Sequence, residues 1–251
     1  MSHLLRSLTM LLALAGAPAL AAEQAQEPAN EAQNGSFDAD PWERFNRRTH
    51  AFNQRVDRYV ARPLATVYTT LTPPVVRRGV GNFFTNLFQP FTALHQLLQG
   101  KPAQAGSAMA RFAINTTLGL GGLLDPASDA GLRIRREDMG QTMATWGWRN
   151  SRYVVLPFLG PTTVRDAFGD AGDYQLGPFR HFEREKTRIF VSGLYLVDLR
   201  GQALAAEGFV SDASDDYVLI RDAWLQRRRF LINDGEDELP DYLFDLEDYD
   251  D

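Results

Sequence analysis

An amphipathic helix beginning near Asp40 constrains the fold of this chain more than any other feature of the sequence. Asp40 can cap free backbone N–H groups, Pro41 fits the first helical turn, and Glu43 stands at the capping-box position. Apolar or semi-apolar side chains then recur every three or four residues on one helix face: Trp42, Phe45, Thr49, Phe52, Val56 and Tyr59. Arginine crowds the opposite face. The pattern predicts a helix over residues 40–60 that ends before Pro63.

The remaining patterns are mostly helical, so the predicted fold class is all-α, in a single domain of amphipathic helices. Pro90 is predicted to break a helix that opens at Pro73, and Gly100 to stop the piece over residues 91–99. Further helices are predicted over residues 64–71, 103–118, 137–146, 162–170, 183–206 and, with Ser214 as a cap, up to Leu231. Residues 153–161 are predicted to be extended, and no alternating strand pattern stands out.

The N-terminal segment differs from the rest in composition. Arg6, an apolar run and a small-residue cleavage site ending at Ala21 predict a signal peptide over residues 1–21, and therefore export in a bacterium. Residues 22–38 are rich in Ala, Glu, Gln and Asn, which predicts a flexible lead-in. The helical domain is predicted over residues 39–232.

The C-terminal segment is strongly acidic. Residues 233–251 contain ten acidic and no basic residues, whereas the whole chain has a net charge of −6, so the body is mildly basic. This composition predicts a solvated, disordered tail. Four apolar residues within it keep a second interpretation open, a contact for a basic partner: Tyr242, Leu243, Phe244 and Leu246.

Motifs for catalysis are absent from the sequence. It has no cysteine, its four histidines fall in no known motif, and it has neither a phosphate loop nor a nucleophile elbow. Asp166, Asp170 and Asp173 would share a helix face and could hold a cation, although a solvated acidic face is the simpler interpretation. We therefore expect a protein that is not an enzyme and has no cofactor, no metal and no nucleic-acid partner.

Membrane contact is predicted to come from amphipathic helices alone. No segment after the signal peptide has 18 consecutive apolar residues, so no spanning helix is expected. Helices with apolar faces turned outward could instead lie within one leaflet. The 16 phenylalanines fit that arrangement, or alternatively an ordinary core.

Several blocks of the sequence resemble the MlaA/VacJ family of outer-membrane phospholipid-transport proteins. The opening block is Asp40-Pro41-Trp42-Glu43-Arg44-Phe45-Asn46-Arg47, followed by Phe52-Asn53 and Arg62-Pro63. Later blocks include Gly81-Asn82-Phe83, Leu98-Gln99-Gly100-Lys101-Pro102, Arg111-Phe112, Asn115-Thr116, Leu118-Gly119, Asp125-Pro126, Glu137-Asp138-Met139-Gly140-Gln141-Thr142 and Leu156-Pro157-Phe158-Leu159-Gly160-Pro161. Their order and spacing together carry the resemblance.

The resemblance implies a helical ring with a central polar channel, embedded in the inner leaflet of the outer membrane at its periplasmic face. Through that channel, mislocalised phospholipids would leave the outer leaflet, which maintains lipid asymmetry. The implied partners are phospholipid, a periplasmic lipid-carrier protein of the same pathway that delivers to an inner-membrane complex, and trimeric porins.

The expected site residues fall into two groups. By resemblance, Phe45 and Asn46 would hold the ring in its resting state, and a glycine-rich stretch would form a hinge or lip of the channel gate: Gly119, Gly121, Gly122, Leu123 and Leu124. Arg47, Arg133 and Arg135 are candidates for contact with a lipid headgroup, with ordinary surface charge as the alternative.

The sequence departs from the family at the end of its signal peptide. Many members carry a cysteine there for lipidation, whereas this chain has Ala22. We therefore expect the helical ring or a porin to hold the protein in the membrane, or the protein to be partly soluble. The competing hypothesis is a non-catalytic periplasmic scaffold or binding protein. A third hypothesis, an exported lipid hydrolase, lacks a visible nucleophile and base.

Overall fold

The computed structural model of the protein describes residues 39–204 and 215–235. Contacts divide the chain into a unit that ends at Pro41 and a larger unit that begins at Trp42, and every element described below belongs to the larger unit. The predicted signal peptide, the lead-in, Ser214 and most of the acidic tail lie outside the described residues.

The first helix, α1 (Glu43–Val56), begins at Glu43 and not at Pro41. Trp42 is its N-cap and makes no side-chain capping bond, so the predicted capping box of Asp40 is wrong. The physical reason is local, because residues 41–42 form a turn ahead of the helix and displace its start.

The helical path does not end before Pro63, contrary to the prediction. It continues from α1 through a π-helical turn, Asp57–Ala61, into α2 (Arg62–Leu71). Proline lacks the N–H that would bond four residues back, and its ring crowds that carbonyl. A π turn uses the wider i→i+5 pattern, so the chain absorbs the proline without leaving the helix.

The next helix, α3 (Pro74–Leu98), passes through Pro90 unbroken, so the predicted break is also wrong. An interior proline costs about 3 kcal/mol, and burial on both sides of it offsets that cost. The buried side chains of α3 are Phe84, Asn86, Gln89, Thr92, Ala93, His95 and Gln96. Helix α4 (Pro102–Thr117) packs its small residues Ala105 and Ala108 against Ala93, a close approach that its composition predicted.

A turn leads from α4 to two short helices and a hairpin. Helix α5 (Pro126–Asp129) is followed by α6 (Met139–Thr145). The extended segment is confirmed, and it pairs as an antiparallel hairpin of β1 (Tyr153–Leu156) and β2 (Gly160–Thr163). Each strand has only four residues, and their sequences show no regular alternation of apolar and polar residues, so strand pairing was not predicted.

Three helices complete the described chain, together with a short 3₁₀ turn, Pro178–His181. They are α7 (Val164–Leu176), α8 (Glu185–Ala203) and α9 (Asp216–Ile232). Asp215, not Ser214, caps α9 by accepting a hydrogen bond from the N–H of Val218. The all-α fold class is confirmed, since the hairpin holds the only strands of the residues described.

The interior is unusually polar. The largest fully buried side chains are Arg111, Arg165, Tyr153, Gln96, Val155, Asn46 and Thr142. Apart from Phe84, Tyr153, Val155, Pro178 and Tyr217, the buried apolar side chains of the described residues are those of alanines. Hydrogen bonds and ion pairs therefore hold much of this fold together, and large apolar side chains are left for its surface.

Candidate functional site

Asn46, a predicted gate residue, joins α1 to the hairpin. Its fully buried amide accepts a hydrogen bond from the N–H of Val155 at 2.8 Å and donates to the carbonyl of Tyr153 at 3.4 Å. Neighbouring Phe45 is half exposed, at 50%. The structure thus gives Asn46 a bridging position between a helix and a strand, where its loss would leave a buried N–H without a partner.

Asn53 makes a second bridge of the same kind at the hairpin tip. It donates to the carbonyl of Leu156 at 2.9 Å and accepts from the N–H of Phe158 at 2.8 Å. Phe158 and Leu159 at the tip are 74% and 76% exposed. Seven residues separate Asn46 from Asn53, which is two helical turns, so both amides reach the hairpin from one face of α1.

The glycine-rich segment is a tight turn over residues 118–125. Gly119 lies against the backbone, because a Cβ there would stand 2.5 Å from the carbonyl oxygen of Asn115. Gly122 has a φ of +92° and packs on Asn86, whose Nδ2 would be 2.7 Å from an added Cβ. Close approach therefore requires glycine at both positions.

Backbone hydrogen bonds hold this turn. The N–H of Gly121 donates to the carbonyl of Thr116 at 3.0 Å, and that of Leu124 donates to Gly119 at 2.9 Å. Four leucines of the segment point outward and are 46–72% exposed: Leu118, Leu120, Leu123 and Leu124. The predicted hinge is thus a hydrogen-bonded turn with an apolar outer surface, and its movement stays a prediction.

A buried ion pair anchors the end of the turn. Arg111, which is 1% exposed, donates to both carboxylate oxygens of Asp125 at 2.8 and 2.9 Å. Burial alone would raise the pKa of Asp125, but hydrogen bonds from Ser128, Asn115 and Arg111 outweigh it and lower that pKa. The carboxylate therefore stays charged and keeps α4, the turn and α5 together.

Arg47, one of the three arginines proposed for headgroup contact, is occupied by protein carboxylates. Its Nε donates to Glu43 at 2.6 Å, and its other nitrogens donate to Asp215 at 3.1 and 2.9 Å. The guanidinium also stacks 4.5 Å from the ring centre of Tyr217. These contacts tie α1 to the start of α9, and they lower the pKa of Asp215.

Arg133 and Arg135, the other two headgroup candidates, line a cavity of about 300 Å³. The first turn of α4 lies at the same cavity, through Ala103 and Gln104. A helix N-terminus carries a partial positive charge, so these elements make one side of the cavity electropositive.

Three glutamines also line this cavity, and the sequence reasoning missed them: Gln89, Gln96 and Gln104. Gln89 and Gln96 are only 2% and 1% exposed. Each of these cavity glutamines has a solvent-inaccessible amide oxygen with no hydrogen-bond partner among the described residues. Glutamines seven residues apart, separated by Thr92 and Ala93 on the same face of α3, were the available sequence signal.

A buried charge network ties α6, α7 and α9 together. Arg228 donates to both oxygens of Asp138 at 2.6 and 2.7 Å, and to Asp166 at 2.8 and 3.1 Å. Arg165 is a second donor to Asp166, at 2.9 Å. Burial would raise the pKa of Asp138, but the hydrogen bonds from Arg228 reverse the effect and lower it.

The three aspartates on the acidic face of α7 have different surroundings. Asp166 is only 3% exposed, so the predicted solvated position is wrong for this residue. Asp173 contacts the imidazole of His95 at 2.9 Å and accepts from the N–H of Met139 at 2.9 Å. Asp170 makes none of these contacts. In the part of the chain that the structure describes, no group of His, Asp and Glu side chains is arranged to hold a metal ion.

Many large apolar side chains are exposed at the surface of the described residues. A series follows α2 and the start of α3, with exposures of 51–77%: Leu64, Val67, Leu71, Val75 and Val76. Others lie at Ile189, Phe190 and Leu196 of α8 and at Leu97 of α3. Within residues 39–204 and 215–235, no helix is long and apolar enough to cross a membrane. A series of exposed apolar side chains that continues from one helix into the next is typical of an interaction face or a lipid contact.

Comparison with known proteins gives consistent matches. A family model described as MlaA lipoprotein matches residues 38–231. The intermembrane phospholipid transport system lipoprotein MlaA of Shigella flexneri is 36% identical over 202 residues, covering 79% of this chain and 80% of the relative. The protein of the same name from Haemophilus influenzae is 33% identical over 221 residues, covering 84% and 88%.

A solved structure is similar as well. It is described as the structural basis for maintenance of bacterial outer membrane lipid asymmetry, and it matches with a TM-score of 0.67 and 34% identity. The match covers 77% of this chain and 98% of that chain.

Proposed function

The chain belongs to the MlaA lipoprotein family, and on that premise we propose that it moves phospholipid between the membranes of the bacterial envelope. Moving a lipid makes and breaks no covalent bond, so the proposal assigns no catalytic residue and no cofactor. The relatives are intermembrane phospholipid transport system lipoproteins, which supports this assignment.

The distribution of polarity is the observation that carries the proposal. Large apolar side chains are exposed, whereas the cavity beside α3 and α4 is lined by glutamines and arginines. A charged headgroup in hydrocarbon is costly, so a lipid needs a polar site for its headgroup and an apolar surface for its acyl chains. The cavity and the exposed surface supply these two environments in one protein.

We propose further where the protein lies in the envelope and in which direction it moves lipid. The protein lies at the periplasmic face of the outer membrane, removes misplaced phospholipid from the outer leaflet, and passes it to a periplasmic carrier, with trimeric porins as a platform. Exposed leucines of the 118–125 turn and the hairpin tip at Phe158 offer contacts for acyl chains. Phe45, Asn46 and the turn at Gly119, Gly121 and Gly122 form the gate.

The test is the amount of phospholipid in the outer leaflet of a strain that lacks the gene, measured with an outer-surface phospholipase or a lipid A palmitoylation reporter. We expect a rise that the wild-type gene reverses. No rise in a strain without a second copy would contradict the proposal and favour the periplasmic scaffold. Carbonate extraction separates the two further, because a scaffold would leave the membrane fraction and a membrane-embedded protein would stay.

A further inference from the structure

The cavity lined by Arg133, Arg135 and the cavity glutamines has two chemically different sides. One side is electropositive, from the two arginines and the N-terminal turn of α4, and it suits a phosphate oxygen. The other side is lined by glutamines whose amide oxygens are solvent-inaccessible and lack a hydrogen-bond partner in the described chain. A phosphodiester whose substituent carries a hydrogen-bond donor fits this cavity, with the phosphate at the electropositive side and the donor at the glutamines.

An unpartnered buried amide oxygen is a cost to the fold that a ligand can remove. Leaving a buried acceptor without a donor is unfavourable, and the cost is recovered when a donor arrives. Gln89 and Gln96 are both almost fully buried, and their amide oxygens have no hydrogen-bond partner among the described residues. The last torsion of glutamine is broad and roughly two-fold, so rotation about this torsion is the movement that would bring each amide oxygen to the cavity.

We propose that this cavity binds phospholipid headgroups that carry a hydrogen-bond donor, a primary amine or hydroxyls, in preference to quaternary choline. The inference rests on the proposed transport of phospholipid and names the headgroup class for it. Arg133 and Arg135 attract the phosphate of every phospholipid alike, whereas Gln89 and Gln96 distinguish headgroups by accepting their N–H or O–H bonds. Choline has no such bond to give.

The size of the cavity agrees with this assignment. About 300 Å³ lies at the lower end of the range for small-molecule sites, which is enough for a phosphate with a short polar substituent. The acyl chains do not need to enter it. They can lie on the exposed apolar side chains of the neighbouring surface, such as Leu97 of α3 and Met109 of α4.

The experiment measures which lipids the full-length protein retains when it is extracted in a mild detergent and offered an equal mixture. The mixture contains phosphatidylethanolamine, its mono- and dimethyl forms, phosphatidylcholine and phosphatidylglycerol with identical acyl chains, and native mass spectrometry counts the bound lipids. We expect the first three and phosphatidylglycerol to be retained about fivefold over phosphatidylcholine, the ratio given by one hydrogen bond of typical net strength. In the methylation series, we expect retention to fall only between the dimethyl form and phosphatidylcholine, where the headgroup loses its last N–H bond.

Each alternative result has a defined meaning. Equal retention of all five lipids overturns the headgroup inference and leaves the transport proposal standing. A gradual decline with each added methyl group also overturns it, because size and not hydrogen bonding would then be the cause. Retention of no lipid at all counts against the transport proposal itself.

Variants of the cavity residues test whether the cavity is the source of the headgroup preference. The double variant Gln89→Met with Gln96→Met should bind phosphatidylcholine and phosphatidylethanolamine equally, whereas the exposed control Gln175→Met keeps the wild-type ratio. Arg133→Gln with Arg135→Gln should weaken all lipids and leave the ratio unchanged. Preference that survives the double glutamine change overturns the inference. If that variant does not fold, the lipid series on the wild-type protein still decides.

Soluble competitors distinguish a headgroup site from a simple anion site. Glycerophosphoethanolamine should displace bound phosphatidylethanolamine, and inorganic phosphate at the same concentration should displace far less. Equal displacement by both overturns the inference, because the cavity would then recognise phosphate alone.

Discussion

Buried amides behave differently in two regions of this protein. Between α1 and the hairpin, Asn46 and Asn53 both donate to and accept from strand or tip backbone. Around the cavity between α3 and α4, Gln89 and Gln96 are as deeply buried as Asn46, yet each has an amide oxygen with no partner in the residues described. Asn46 and the two glutamines therefore carry the same functional group under the same burial.

The difference separates polar groups that maintain the fold from polar groups that remain available to a ligand. A buried amide with its bonds made contributes to stability, and a buried amide without them opposes it. A protein retains the second kind only where something else offsets the cost. We infer that a bound lipid headgroup provides this compensation at Gln89 and Gln96.

The largest loss of stability should come from disrupting the buried ion pairs of Asp166. Asp166→Ala removes a buried carboxylate and leaves Arg228 and Arg165 without their shared partner, so the free energy of unfolding should fall by about 3 kcal/mol. Chemical denaturation in detergent, followed by circular dichroism, measures it. The exposed Asp129→Ala is the matched control and should change stability by less than about 0.5 kcal/mol. A loss no larger than the control's would refute a structural role for the network.

The next effect tests the paired amides directly. Asn46→Ala leaves the buried N–H of Val155 without an acceptor and should lower the free energy of unfolding by about 2 kcal/mol. Asn150→Ala, at an exposed position, is the control for the same substitution. Equal stabilities of the two variants would mean that the bridge to β1 does not hold the hairpin.

Removing an unpartnered amide should raise the free energy of unfolding, whereas removing a paired amide lowers it. Gln96→Met keeps the size of the side chain and removes the buried acceptor, so the same denaturation experiment should give a gain of about 1 kcal/mol. A loss of stability would show that Gln96 is already paired in the folded protein, and the contrast between the two regions would disappear.

The smallest effect depends on pH and concerns Asp170, at the edge of the charge network. Burial and the negative charge of Asp138 raise the pKa of Asp170 from 3.8 to about 6. The folded state therefore holds its proton more tightly than the unfolded state does, and this group's contribution to stability is lost as the pH rises from about 4 to 6. Asp170→Asn should stabilise the protein at pH 7 relative to wild type and give no gain at pH 4. A gain that is equal at both pH values would contradict the shift.

The sequence predicted the helices well where apolar spacing was regular, as in α1, and where small residues allow close packing, as in α4. It failed at Pro63 and Pro90 because a local rule for proline cannot include the π turn or the buried face of α3 that accommodates them. The hairpin was missed for a similar reason. The hairpin also contacts Asn46 and Asn53, which lie more than a hundred residues away in the chain, so these contacts are invisible to a local pattern.

The site was predictable in part. Arg133 and Arg135 were identified from their charge, and they do line the cavity. The cavity glutamines were not identified, because an uncharged amide in a helix gives no compositional signal and its missing partner is visible only in three dimensions. Arg47 shows the converse, since its charge made it a candidate and the structure shows that Asp215 and Glu43 occupy it.

The most direct test of this account combines stability and transport in one variant. The measurement is outer-leaflet phospholipid in the deletion strain that carries Gln89→Met with Gln96→Met, compared with strains that carry the wild type or Gln175→Met. We predict that the double variant is folded and present in the membrane at the wild-type level, yet leaves outer-leaflet phospholipid elevated, while Gln175→Met restores it. Full restoration by the double variant would contradict the claim that these buried amides serve the lipid.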